Sequence, residues 1–124
     1  MNVIYKSFEK SLKRLEDMLR ERKSMTVRDA TVLRFQLTFE LAWKSMQQFL
    51  REEKIICQSP KACLNEAFSF GLIPDDTKWM AMADDRNLVA HIYNEEMAID
   101  VAQHIPSYMS LLRGLLAELK KRSK

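Results

Sequence analysis

The sequence predicts an all-α protein: an antiparallel up-and-down bundle of four main helices with one extra short helix, assembled as a homodimer. Two observations carry the fold prediction. Glycine and proline are scarce, two and three in 124 residues, so long stretches hold no helix breaker. Apolar residues recur at three- and four-residue steps along several segments, the spacing that places them on one helical face. The length suits one domain, spanning 1–124, with a sizeable core and no room for a second.

The first helix is predicted from residue 2 to about 22. Ile4, Phe8, Leu12, Leu15, Met18 and Leu19 form its apolar face, with Lys, Arg and Glu opposite. Ser24-Met25 breaks the pattern. Thr26, with Asp29 three residues on, resembles a capping box that starts a second helix near Val27. This helix, to about Glu53, is the most apolar. Val32, Leu33, Phe35, Leu37, Phe39, Leu41, Trp43, Met46, Phe49 and Leu50 populate more than one of its faces. Such a helix is either central in a bundle or shared with another subunit. Four neighbours can hardly surround one helix in so short a chain, so part of this surface is expected to be a dimer interface. Glu40 lies inside the apolar run, either reaching water at the edge of the seam or serving as a buried partner for a cation.

Residues 54 to 58 read as a connection. Ser59 as cap and Pro60 in the first turn open a short third helix that Gly71 ends. Pro74 and Asp75-Asp76 start a fourth, the acids facing its positive N-terminal dipole. Asn94, followed by Glu95-Glu96, caps a fifth that runs to about Arg122 on Val101, Ile105, Tyr108, Leu112, Leu115 and Leu119. Pro106 lies inside it and is expected to kink or split it by deleting a backbone donor.

Composition excludes several function classes. Gly71 and Gly114 are isolated, so there is neither a phosphate-cradling glycine loop nor a dinucleotide fingerprint. No serine elbow for acyl transfer occurs. The net charge of +3 is mild and the basic residues are interspersed with acids, which permits nucleic-acid contact without arguing for it. Cys57 and Cys63 lack neighbouring ligands for a zinc site and read as two reduced thiols, so no metal or cofactor is expected. No apolar window is long enough for a membrane span and the N-terminus lacks a signal-peptide core, which points to the cytoplasm. Chemistry must come from side chains projecting off helices.

The segment Asp84-Asp85-Arg86-Asn87-Leu88-Val89-Ala90-His91-Ile92-Tyr93 concentrates that chemistry. Trp79, Met82, Ala83, Arg86, Val89, Ala90 and Tyr93 fall along one helical stripe, so Arg86 interrupts an apolar face. A guanidinium cannot shed its charge, and burying it requires a carboxylate, a phosphate or trapped water. His91 lies about 140° around an ideal helix from Arg86. The two share no face in one chain unless the helix ends or distorts, or a second subunit completes the site.

Arg86, His91 and Tyr93, with Asn87 after the arginine, resemble the signature of HEPN-domain proteins, in particular HepT-like toxins paired with minimal nucleotidyltransferases. Phe39-Glu40-Leu41-Ala42-Trp43-Lys44 is similar to the related nucleotidyltransferase substrate-binding proteins, and the likeness runs from the first helix to Lys121. The resemblance implies a bundle similar to the C-terminal domain of kanamycin nucleotidyltransferase. It also implies a homodimer in which Arg86 and His91 of both subunits meet in a cleft, acting as a metal-independent ribonuclease. The implied partner is a minimal nucleotidyltransferase, either an antitoxin able to add AMP to Tyr93 or a catalytic subunit that this chain supplies with substrate. The chain itself lacks the Gly-Ser and paired aspartates of such a transferase.

The expected roles follow from chemistry. His91 suits proton transfer at neutral pH, and Arg86 matches phosphate oxygens with its forked donors. Asn87 is expected to hold a phosphate or orient His91, Glu40 to orient Arg86, and Tyr93 to present a hydroxyl for modification. His104 reads as solvent-facing or packed at the proline kink. Trp43 and Trp79 read as core, and Met80, Met82 and Met97 as adaptable packing.

Overall fold

The computed structural model describes residues 1–74, 77–91 and 93–123, and every described element is a helix or a connection. Helices α1 (Val3–Arg20), α2 (Met25–Glu52), α4 (Thr77–His91) and α5 (Glu95–Arg122) form the bundle, and α3 (Pro60–Phe70) is the short addition. The expectation of four main helices plus one holds. Asp75 and Asp76, expected at the start of α4, lie outside the described residues, as does Ile92.

Side-chain caps set most helix starts. Asn2, Ser59 and Asn94 each accept a backbone N–H from the first turn that follows. The cap of α2 differs from the sequence expectation. Ser24, not Thr26, takes the Val27 amide at 3.1 Å, which puts Thr26 inside the helix. Both residues can cap, and the Ser-Met-Thr-Val run offers no periodicity to separate them. Two helices stop in Schellman turns. At the end of α3 the Leu72 amide returns to the Ala67 carbonyl and Gly71 takes φ +91°. At the end of α2 the Ile55 amide returns to Leu50, and Lys54 occupies the left-handed position at φ 68° without glycine's freedom. α5 runs unbroken through Pro106, contrary to a split at that point. The Ser107 hydroxyl donates to the His104 carbonyl at 2.7 Å beside the missing amide.

α2 packs against each of the other four helices. The sequence argument that four neighbours cannot surround it fails, because α3 and α4 are short and each covers only part of its length. Its inward residues Phe35, Phe39, Ala42, Met46 and Leu50 are fully buried with Phe8, Leu12, Leu15, Trp79, Met82, Ile105 and Leu112. Burial of each large side chain contributes about 1.5–3 kcal/mol relative to exposure, so this cluster dominates the favourable side of folding. Trp43 and Trp79 are core, as expected. A hydroxyl pair, Ser11 with Thr38 at 2.7 Å, satisfies two polar groups between α1 and α2. Leu33 and Leu37 stay exposed on the outer side of α2.

The cysteines depart from the reduced-thiol expectation. Cys57, in the α2–α3 connection, is bonded to Cys63 in α3, their Cα atoms 5.2 Å apart. With one cysteine in a connection and the other a turn into a helix, sequence spacing could not show that the sulfurs meet. The Gln47 side chain also donates to the Cys57 carbonyl at 2.7 Å, fastening the same connection to α2.

Candidate functional site

α4 has a short apolar inventory. Trp79, Met82, Ala83 and Val89 are buried, as the sequence stripe predicts, but Ala90 is exposed and Tyr93 lies beyond the helix end. The stripe breaks there because His91 closes the helix and the chain turns towards α5. Polar contacts supply the rest of its attachment. Three consecutive residues each reach a different helix. Asp84 pairs with Lys61 of α3 at 2.6 Å. Asp85 accepts from the Tyr108 hydroxyl of α5 at 2.5 Å and meets His104 Nδ1 at 3.0 Å. Arg86 Nη2 donates to Glu40 Oε2 of α2 at 2.5 Å.

Glu40 is thus the carboxylate that Arg86 requires, and it gathers further donors. Trp43 Nε1 donates to the same oxygen at 3.2 Å, and Lys44 Nζ lies 3.4 Å from the other. Burial pushes the Glu40 carboxyl up, but the Trp43 hydrogen bond and the Arg86 and Lys44 charges outweigh it and hold it below the usual range. Arg86 Nη1 donates to Asn87 Oδ1 at 3.1 Å, while Nε is buried without a partner among the described residues. Side chains of Arg86 and Glu40 keep 24% and 30% of their exposure, so the pair sits at the edge of the core.

The structure brings Arg86, Asn87 and Glu40 together. It does not bring His91 to them within one chain. His91 is exposed on the last turn of α4 and makes no hydrogen bond to the other three among the described residues. Tyr93 is 52% exposed, and its hydroxyl donates to Asp29 Oδ1 of α2 at 2.9 Å. Burial and this bond to a carboxylate both push the phenol up. Arg28 links Asp29 to Glu95, at 3.4 and 3.6 Å, and ties the start of α5 to α2.

Sequence reasoning missed several participants. Trp43 and Lys44 follow Glu40 by three and four residues, the spacing of neighbours on one helical face, so this signal was present. The Asp85 pairing with Tyr108 and His104 was not legible, since it joins two helices; His104 is exposed, as expected, and also meets Asp85. Asp29 as acceptor for Tyr93 spans 64 residues and had no local sign.

Among the described residues no helix is long and apolar enough to cross a membrane, and no group of three metal-ligating side chains occurs.

Residues 4–121 match the family model for nucleotidyltransferase substrate binding protein like sequences. The chain is 33% identical over 97 residues to the probable ribonuclease HepT of Haemophilus influenzae, a match covering 74% of this chain and 66% of that protein. The chain thus spans just under two-thirds of that relative. Among solved structures, one from Thermus thermophilus superposes with a TM-score of 0.82 at 37% identity, covering 91% of this chain and 98% of that one. A Haemophilus influenzae structure that reveals the fold of a substrate binding domain of a nucleotidyltransferase gives a TM-score of 0.83 at 26% identity, over 94% and 98%. A tri-AMPylated Shewanella oneidensis HEPN toxin, in complex with an MNT antitoxin, shares the fold with a TM-score of 0.76 at 20% identity, over 98% and 100%.

Proposed function

As the chain belongs to the nucleotidyltransferase substrate binding protein like family, and is HepT-like within the HEPN group, we propose that it is the ribonuclease toxin of a two-gene toxin–antitoxin module. The observation that carries this reading is the pairing of an edge-buried Arg86 with an exposed His91 on one helix, in a chain similar to HepT. The two point in different directions within one protomer, so the working site is assembled by a homodimer. Leu33, Leu37, Glu40 and Lys44 follow one stripe of α2, and exposed Leu88 lies two residues beyond Arg86. These exposed leucines support a second copy docking beside the Arg86–Glu40 pair.

In that dimer, cleavage needs no metal. One His91 takes the proton from the ribose 2′-hydroxyl and the other protonates the leaving 5′-oxygen. Arg86 steadies the charged phosphorane, with a side chain that keeps 24% of its exposure at the edge of the core. Asn87 accepts from Arg86 through Oδ1, which leaves its amide N–H groups for phosphate or for His91. Glu40 orients the guanidinium. The partner is a minimal nucleotidyltransferase, and the setting is the cytoplasm.

Control acts at Tyr93. Its hydroxyl oxygen attacks the α-phosphorus of ATP held by the partner, pyrophosphate leaves, and the phenolic proton is released. The new phosphodiester removes the proton donated to Asp29 and sets a negative charge beside that carboxylate, where RNA phosphates are also repelled.

A second reading has its own support. Glu40 already occupies Arg86, as it would in a non-catalytic subunit that binds substrate or nucleotide for a transferase. His91→Ala spares binding under that reading and abolishes cleavage under the first.

The deciding experiment is incubation of total RNA and of tRNA with purified protein in EDTA, wild type beside Arg86→Ala and His91→Ala, each variant first checked as a folded dimer. Cutting by wild type alone supports the ribonuclease. Intact RNA with unmodified, dimeric wild type rejects it in favour of substrate binding.

A further inference from the structure

The rotation of α4 decides where Arg86 points, and the apolar face of α4 fixes that rotation weakly. Only Trp79, Met82, Ala83 and Val89 are buried along its 15 residues. The magnitude matters because arginine is long. A guanidinium about 9 Å from the helix axis moves about 3 Å for a rotation of about 20°. That displacement exceeds the tolerance of a hydrogen bond.

On the side of α4 next to Arg86, Asp85 is held from α5. Its carboxylate keeps only 13% of its exposure and takes the Tyr108 hydroxyl and His104 Nδ1 together. Consecutive residues on a helix project about 100° apart, so the Asp85 bonds to α5 and the Arg86 bond to α2 hold the helix from two sides and together restrain its rotation. Tyr108 is itself buried and stacked on Phe35 of α2, ring centroids 5.8 Å apart, so the donor is anchored in the core. Burial, and then the Asp85 carboxylate, push the Tyr108 phenol far up, which keeps its proton in place as a donor.

We propose that Asp85 and Tyr108 are positioning residues for Arg86: their bond across α4 and α5 sets the helix rotation that delivers the guanidinium to Glu40. The inference bears on the site proposed above, yet it concerns geometry that exists whether or not RNA is cut.

The test is a double-mutant cycle on the unfolding constant with Arg86→Ala and Glu40→Ala. It is run in three backgrounds: wild type, Tyr108→Phe and Tyr5→Phe. The last removes a hydroxyl bond of similar kind, Tyr5 to Glu52 at 3.2 Å, in a part of the bundle away from α4. Coupling in wild type is expected to be about tenfold. It falls at least threefold in Tyr108→Phe and stays unchanged in Tyr5→Phe, even where both lose similar stability. Asp85→Asn provides a second variant, which keeps an acceptor oxygen and is expected to fall between. A spectroscopic readout accompanies the cycle: the Arg86 Nε–H resonance in protein labelled with ¹⁵N-arginine, assigned by Arg86→Lys. It exchanges faster with solvent in Tyr108→Phe than in Tyr5→Phe. Equal coupling and equal exchange in the two backgrounds overturn the proposal. RNA cleavage plays no part in either readout, so wild type that leaves RNA intact removes the ribonuclease reading and leaves this one standing.

Discussion

Arg86 and Glu40, 46 residues apart in the chain, meet at 2.5 Å where α4 crosses α2. Neither is deeply buried, and the carboxylate also holds Trp43 and Lys44. The pair resolves the charge that interrupts the apolar stripe of α4, and it fixes the direction of the guanidinium before any ligand arrives. Glu40→Gln keeps the shape and removes the charge. It is expected to cost about 1–2 kcal/mol, since hydrogen bonds to charged groups are the stronger ones and partial exposure screens this one. Urea unfolding measures the loss.

The same carboxylate makes stability depend on acid. Its folded-state pKa lies below that of the unfolded chain, so the unfolded state binds protons first as pH falls. The contribution is complete above the ordinary glutamate range, about 4.3, and is lost as pH drops through the lower folded value. Thermal melts across that window should show a shallower acid slope for Glu40→Gln than for wild type.

Leu33 and Leu37 stand out of the core on α2, so charge there should spare the fold. Under the proposed homodimer, Leu33→Asp with Leu37→Asp is expected to leave helical content and melting near wild type while shifting the mass in solution from dimer to monomer. Light scattering after size exclusion reads the shift. A doubly substituted chain that remains dimeric would place the interface elsewhere.

The Cys57–Cys63 bond closes a short loop at the α2–α3 connection. Constraining so few residues in the unfolded chain stabilises the fold by about 2 kcal/mol in the chain-entropy account. Melting in the presence of dithiothreitol, or of Cys57→Ser with Cys63→Ser, should therefore fall by several degrees. The helical spectrum should be unchanged at room temperature.

At the start of α2, Ser24→Ala removes the bond to the Val27 amide and is expected to cost about 1 kcal/mol. Thr26→Ala, inside the first turn, is expected to cost less. Denaturant midpoints for the two variants separate the assignments.

The helix count and most of the core were legible because periodicity reports one-sided burial directly. Every predicted apolar position of α5 is buried, and Phe8, Leu12 and Leu15 line α1 as expected. Arg86 was legible as a misfit, and Glu40 as a candidate partner, because a charge inside an apolar run must be answered. Contacts between helices distant in sequence were not legible. Tyr108 with Asp85 and Tyr93 with Asp29 depend on rotations that no local pattern fixes. The Cys57–Cys63 pairing and the left-handed turn at Lys54 failed for a related reason, since each depends on chain direction at a connection, where periodicity ends. His91 illustrates the limit from the other side. Its exposure agrees with the offset from Arg86, and the two do not meet within one chain.

Asp84, Asp85 and Arg86 reach three different helices from three successive positions, which makes α4 intolerant of a change in length. One residue inserted between Trp79 and Asp84 turns everything after it by about 100°. Asp85 would then face Glu40, acid against acid, Arg86 would be carried past its partner, and Lys61 would lose its carboxylate. A deletion at the same place would bring Arg86 round to His104 and leave Glu40 without its guanidinium. Substitutions along α4 can be absorbed one contact at a time, whereas an insertion or deletion ahead of the triplet disturbs all three helices together. The helix behaves as a three-toothed key, tolerant of wear on one tooth and useless when cut one step out of phase.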